Sequence, residues 1–377
     1  MSGSAVPAAA SEPTVAQGIC YVLFAYDVGL SIDLDRAEQR ITALTQRARL
    51  RHKRRAPRFF DYTPAPLRVI EEVDPLDVGA GFRTTTSVDL VLYDFGAVAV
   101  TYQIPLTGPL SALVALSDAL YESVTLLADS RQRVAQLQAA IDPSVARPAL
   151  ADFVETYTIF EIGTFTRPVA THELYTTYAP QVAQVLRSEP TRLSTEEVSH
   201  ATASRISYGE TDLALIDWDA ALIYDQDADD VRAVLEFANV ELLEMRHVDQ
   251  QLDAALDRSY EVLTRRAGRR LPLLGARSAD LQRIGRLQVD SAVLFEGVNN
   301  ALKLLGDQYL ARVYRLASER FHLAEWDATI LRKLETLESI YQKLSDAAAN
   351  WRIELLEWII ILLIAFEIAL SFLPVGH

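Results

Sequence analysis

The stretch Val88-Asp-Leu-Val-Leu-Tyr-Asp-Phe-Gly-Ala-Val-Ala-Val100 alternates apolar residues on either side of Asp94-Phe95-Gly96. Alternation sends successive side chains to opposite faces of a strand, and Asp and Gly accept the backbone reversal of a turn. The stretch therefore predicts a β-hairpin with one buried face. A second stretch, Thr211-Asp-Leu-Ala-Leu-Ile-Asp-Trp-Asp-Ala-Ala-Leu-Ile223, repeats the pattern. Asp89 aligns with Asp212, Leu90 with Leu213, Leu92 with Leu215, Asp94 with Asp217 and Phe95 with Trp218.

Outward from each hairpin the same kinds of element recur. A helical pattern follows, over 109–141 and over 228–266, where Val124, Leu126 and Leu127 correspond to Val240, Leu242 and Leu243. Upstream stand an apolar strand and a helix, at 19–26 and 33–49 in the first copy and at 154–162 and 171–187 in the second. A third strand, 67–73 or 204–208, precedes each hairpin. Each half thus reads β-α-β-β-β-α. A fixed internal period is the mark of duplication, and two such halves can pair into one larger sheet with helices on a face.

Proline is absent between Asp280 and Asn350. Ile330, Leu334, Leu337, Tyr341, Leu344, Ala348, Trp351, Leu355 and Trp358 recur at spacings of four and three, the a/d seam of a coiled coil. Pro272 and Gly275 mark a turn before that helix, so a helical hairpin or coiled-coil stalk is expected, paired within the chain or between copies. The seam runs into an apolar segment interrupted by Glu357, Glu367 and Ser371. Residues 358–373 span ~24 Å as a helix, slightly less than the ~30 Å hydrocarbon core of a bilayer. Trp358 suits the interface, and Arg352 just before it favours that side as cytoplasmic. Glu367 argues the other way, for a buried oligomerisation helix, unless it is neutral or packed against another helix. Ile360, Ile364, Glu367 and Ser371 share a face on which such packing is feasible.

The expected class is α+β: a duplicated head, a long helical hairpin or coiled-coil stalk, and one C-terminal transmembrane helix. The expected ranges are 1–17 disordered tail, 18–145 first repeat, 146–266 second repeat, 276–352 stalk and 355–373 membrane helix. The first ten residues carry neither the basic and apolar regions of a secretory signal nor the arginines of a transit peptide.

The chain has 377 residues, half of them hydrophobic, and a formal net charge of −15. That charge argues against nucleic-acid binding over the whole surface. One cysteine, Cys20, excludes an intrachain disulfide and any cysteine-based metal centre. A local exception to the acidity is Arg47-Ala-Arg-Leu-Arg-His-Lys-Arg-Arg-Ala-Pro-Arg58, with seven Lys/Arg residues. Arg51, Lys53, Arg54 and Arg55 form either an electrostatic patch for RNA or anionic lipid, or a solvated helix end; no aromatic platforms interleave the run.

No phosphate loop, His-Glu-x-x-His or Gly-x-Ser-x-Gly pattern is present, and Gly79-Ala-Gly81 is too short for the first. His247 lies near Glu244 and Asp249, and with Glu241 and Arg246 these read as a charged helix face with intrahelical pairs. The acidic run 225–230 reads as carboxylates favouring the dipole of the next helix rather than as a calcium loop.

Three segments resemble a known family: Leu235-Glu-Phe-Ala-Asn-Val-Glu-Leu-Leu-Glu-Met-Arg246, Asn300-Ala-Leu-Lys-Leu-Leu-Gly-Asp-Gln-Tyr-Leu-Ala-Arg-Val-Tyr314 and Leu356-Glu-Trp-Ile-Ile-Ile-Leu-Leu-Ile-Ala-Phe-Glu-Ile368. Leu92–Val100 fits more loosely. The chain in this respect is similar to the required-for-meiotic-nuclear-division (Sad1-interacting-factor) family, the domain of unknown function 155. The resemblance implies a membrane-anchored, self-associating protein, with a link to translation in its eukaryotic relatives, and it brings no catalytic residues; the absence of transit-peptide arginines and the Ala- and Arg-rich composition point to a bacterial member.

The expected function is a membrane-tethered scaffold without catalysis or cofactor, single-pass with a cytoplasmic head. It lies in the bacterial inner membrane, or the mitochondrial one if eukaryotic. Its partners are the membrane, further copies of itself, and a protein or ribonucleoprotein, with direct nucleic-acid binding left open. The competing reading is an enzyme or nucleotide-binding protein with a site between the two head repeats.

Overall fold

The computed structural model describes residues 12–45, 50–51, 64–267, 285, 289 and 308–371; within 42–51, 262–267, 344–355 and 365–371 it describes the backbone alone. In chain order the elements are β1 (Thr14–Asp27), β2 (Ser31–Ile32), α1 (Leu34–Thr45), β3 (Leu50–Arg51), β4 (Leu67–Glu72), β5 (Asp77–Gly79), β6 (Phe82–Arg83), β7 (Ser87–Leu92) and β8 (Ala97–Pro109). Then come α2 (Leu110–Leu120), α3 (Val124–Ile141), β9 (Val145–Ala146), β10 (Glu155–Phe165), α4 (Thr171–Leu174), α5 (Ala179–Arg187), α6 (Thr195–Ala201), β11 (Arg205–Ile206), β12 (Leu213–Ile216) and β13 (Ala220–Tyr224). The long helices α7 (Asp229–Ala267), α8 (Gln308–Arg320) and α9 (Leu323–Ser371) complete the described chain. The class is α+β, with a large sheet and helices.

The described residues fall into two compact units, one within Met1–His247 and Glu296–Glu325, the other within Val248–Phe295 and Trp326–His377. The first holds a nine-stranded sheet of order β11-β12-β13-β10-β1-β8-β7-β4-β3. Both predicted hairpins form: β7 pairs antiparallel with β8 and β12 with β13. Strands β1 and β10, antiparallel neighbours, join the halves at the centre. The neighbour order β1-β8-β7-β4 is matched by β10-β13-β12-β11. The sense is not, since β8 runs antiparallel to β1 whereas β13 runs parallel to β10. The two halves share a neighbour order and differ in strand sense, and the expected duplication is not confirmed. Strand β1 also begins at Thr14, inside the stretch read as a disordered tail.

Alternation along β1 explains the two faces of this sheet. Cys20, Val22, Phe24 and Tyr26 enter the main core with Val98, Val100, Tyr102 and Ile104 of β8 and Phe160 and Ile162 of β10. Helices α1, α2, α3 and α5 cover that face, through residues such as Ile41, Leu113, Val134 and Val182. On the opposite face Ala25, Ala97, Ala99 and Val91 pack with Phe237, Val240 and Leu243 of α7, and Phe153 and Tyr314 lie against them.

The helix predicted over 109–141 is two helices. Glu122 takes the left-handed φ of 51° between them, a conformation that ends a right-handed helix. Among the described residues no single helix is long and apolar enough to cross a membrane; α2 and α3 have the composition jointly but bend by 58°. Their apolar residues Leu110, Leu113, Leu116, Leu126 and Val134 are core.

In the second unit α7 buries Val248, Leu252, Ala255 and Ser259, spaced four, three and four. Helix α9 buries Ile330, Leu337 and Ile340. Lys333 reaches Asp249 at 2.7 Å and Asp253 at 2.5 Å, so the two helices are paired by charge as well as burial. Of the other seam positions Leu334 and Tyr341 are half-buried and Trp358 is exposed, while the side chains of Leu344, Ala348, Trp351 and Leu355 lie outside those described.

Candidate functional site

Two close turns build the site's floor. Gly96, at φ 105°, follows Asp94-Phe95; a Cβ there would sit 1.8 Å from the carbonyl oxygen of Gly29. No side chain fits, so the β7–β8 turn closes directly onto the loop after β1. Val28 N–H donates to Gly96 O (2.9 Å) and Ile32 N–H to Asp94 O (2.8 Å). The closure holds Asp27, the last residue of β1, at the edge of the α7-facing surface.

Helix α7 lies over this surface with residues 234–241 buried without interruption. Several of them are acidic or polar. Glu236 is approached by Arg68 at 3.8 Å and receives the Tyr93 hydroxyl at 3.4 Å. Glu241 accepts from the Tyr314 hydroxyl of α8 at 2.6 Å. Arg232 pairs with Glu161 at 3.0 Å and Asp229 at 2.6 Å, and lies 4.1 Å over the Tyr21 ring. Arg68 also stands 3.6 Å from Asp89. Burial raises the carboxyls of Glu236 and Asp89, and the arginines Arg68 and Arg232 oppose that rise. These carboxylates are compensated.

One group is not. Glu244 is 1% exposed, and neither of its carboxyl oxygens has a hydrogen-bond partner. Burial holds its carboxyl well above the ordinary range, and the charge of Asp27 raises it further. Asp27 is itself buried; burial pushes it up to about 7, opposed by a hydrogen bond from the Gly29 backbone. His247 Nε2 lies 3.6 Å from Asp27 Oδ1, and burial lowers the imidazole's affinity for a proton. The His247 ring is stacked on Phe153 with centroids 5.9 Å apart, and neighbouring Arg246 pairs with Glu155. Two carboxyls and a neutral imidazole in a low-dielectric site can hold a proton. Among the described residues no group of three His, Cys, Asp or Glu side chains stands ready to hold a metal ion.

The expectation of a charged face with intrahelical pairs at Glu241, Glu244, Arg246 and Asp249 is corrected here. Glu241 and Glu244 are buried, and the partners named for Glu241, Arg246 and Asp249 come from other elements. The signal for this was the surrounding run 234–243, too apolar for a one-sided helix.

A second buried acid, Asp217, directly follows β12 at 0% exposure. Arg187 of α5 lies 2.7 Å from Oδ2 and Arg320 of α8 2.6 Å from Oδ1. His200 of α6 lies between the two guanidiniums, 2.9 Å from Arg187 and 3.3 Å from Arg320. One carboxylate thereby ties α5 and α8 to the β12–β13 turn, and His200 joins α6 to them through the two guanidiniums.

Trp358, Ile360 and Ile364, expected from the sequence to anchor in a membrane, are exposed at 65%, 54% and 51%; the Glu367 side chain lies outside those described. Of the basic patch, Arg51 contributes backbone pairing with Ile70, while Lys53, Arg54 and Arg55 lie outside the described residues.

Residues 17–230, most of the sheet and the helices of its first face, match the family described as uncharacterized protein MJ0711, N-terminal domain. The chain belongs to that family. A relative, uncharacterized protein MJ0711 of Methanocaldococcus jannaschii, is 25% identical over 221 residues, 58% of this chain and 66% of that protein. The shared part thus spans just under two thirds of the relative's length. No solved structure matches. This corrects the resemblance to the Sad1-interacting-factor family. The three segments that carried it lie at 235–246, 300–314 and 356–368, all outside the matched range, and the relative is archaeal where a bacterial member was expected.

Proposed function

We propose that this protein is a membrane-tethered binding protein, in which the apolar end of α9 inserts into lipid and the first unit is the head it carries. The carrying observation is the stretch 356–364, where every residue is exposed. Eight of the nine are large and apolar: Leu356, Trp358, Ile359, Ile360, Ile361, Leu362, Leu363 and Ile364. A helix apolar on all sides needs an apolar surrounding on all sides, which lipid supplies. The sequence stays apolar as far as Leu373 apart from Glu367 and Ser371. Self-association of the seam that leads into this segment belongs to the same reading, and gives Glu367 a helix to face. The head's partner is a protein or ribonucleoprotein.

Flotation of the full chain with liposomes tests the tether. The protein should rise with the vesicles, and removal of residues 358–377 should leave it at the bottom of the gradient. Ile361→Lys should weaken flotation, since a lysine at mid-span costs roughly 2.5–3.5 kcal/mol. A full chain that stays dispersed without detergent and does not float would overturn the reading.

A further inference from the structure

We propose that Asp27 and Glu244 act as one titrating pair that keeps a proton while α7 lies on the sheet, and that ionisation of both loosens the helix. The argument begins with what surrounds them. The Asp27 carboxylate faces the backbone N–H of Gly29 and, at 3.6 Å, the Nε2 of His247. Glu244 is buried with both oxygens bare. Among the described residues, the other charged groups on the packed elements have partners of their own. On α7, Glu236 meets Arg68, Glu241 meets Tyr314 and Arg246 meets Glu155. Before β10, Asp152 meets Arg131 of α3, and in the β7–β8 turn Asp94 accepts from its own backbone. No cation is directed at Glu244 among the described residues.

Two like charges in such a site repel strongly, and a bare buried carboxylate loses its hydration without replacement. A proton on the pair removes both costs. What keeps α7 seated is then the apolar set Phe237, Val240 and Leu243; ionisation works against it.

The sign follows from proton binding. Both carboxyls are raised on folding, chiefly by burial, so the folded protein binds protons that the unfolded chain releases. The stabilisation is complete below the ordinary carboxylate range, near pH 4. It is lost as pH rises through about 7, the value for Asp27, because stability falls wherever the folded state holds more protons.

The test uses the full chain, in detergent, treated with a chelator. The thermal midpoint should fall by several degrees between pH 5.5 and 8.5. Glu244→Gln and Glu244→Met should flatten that fall and raise the midpoint at pH 8.5. Hydrogen exchange of residues 236–247, corrected for intrinsic rates, should quicken with pH in the native protein and not in the variants. Should neither variant fold, the native protein itself decides. A protonated-carboxyl infrared band should be present at pH 6 and bleach by pH 9. Absence of that band at pH 6 would overturn the proposal. So would an unchanged pH slope in the variants, or a pH slope abolished by adding back a divalent cation, which would make the pair a metal site.

Discussion

Asp217 and Gly96 show how single residues hold this head together. With both guanidiniums drawn to it, Asp217→Ala would leave Arg187 and Arg320 without their shared anion. Removing one partner of a buried ion pair typically costs ~3–5 kcal/mol, and a loss of that order is expected in denaturant unfolding. At Gly96 a methyl group has no space, 1.8 Å from a backbone oxygen, and a φ of 105° is unfavourable to any side chain. Gly96→Ala should therefore destabilise by more than the ~1–2 kcal/mol of the backbone conformation alone, read as a lower denaturant midpoint. Asp94-Phe95-Gly96 was legible in the sequence as a turn, but its contact with Gly29 was not, because that partner is 67 residues away in the chain. The same is true of Asp27 and Glu244. Each has an ordinary neighbourhood in sequence, and becomes unusual when β1 and α7 are brought together.

At the scale of elements, patterning did well where one face of an element is buried and poorly where both are. The hairpins β7–β8 and β12–β13 follow directly from alternation and turn residues. The periodicity predicts helix α7 at nearly its observed length, yet its charged spacing reads most simply as pairing within the helix. The structure puts the sheet on one side and α8's Tyr314 within bonding distance of Glu241. Loss of packing here should be costly: Leu243 is fully buried, and Leu243→Ala should cost ~2–5 kcal/mol, measured by denaturant unfolding. The α2–α3 break escaped pattern reading because no Pro or Gly marks it; what divides them is the non-helical backbone of Tyr121, Glu122 and Ser123, of which Glu122 is left-handed. In the second unit, Lys333 bridges two aspartates with only 19% of its side chain exposed. Lys333→Met keeps the aliphatic stem and removes the charge, and should lower stability by about 1 kcal/mol, since Asp253 is well solvated and the pair is screened there. Raising the salt concentration should shrink the difference between native and variant proteins.

For the whole molecule, composition and periodicity place it as an acidic α+β chain with long helices toward its end, and the structure bears that out. The family relation concerns the sheet-bearing part, while the apolar segment that motivates a membrane role lies beyond the matched residues. Head and tether are therefore separable expectations. Removing residues 358–377 should abolish flotation while leaving the far-ultraviolet circular dichroism of the head and its pH-dependent unfolding in place. By itself the sequence determined the local elements, since alternation, 3.6-residue periodicity and turn residues act over a few positions, and it determined that the stretch after Leu355 is apolar apart from Glu357, Glu367 and Ser371. Only the tertiary structure decided that the two halves share one sheet through β1 and β10, with the second hairpin reversed in sense. It also decided that Asp27 and Glu244 are both buried, with the charge of Asp27 felt at Glu244. Both depend on contacts between residues far apart in the chain, where burial and charge are properties of the assembled surroundings and not of either segment.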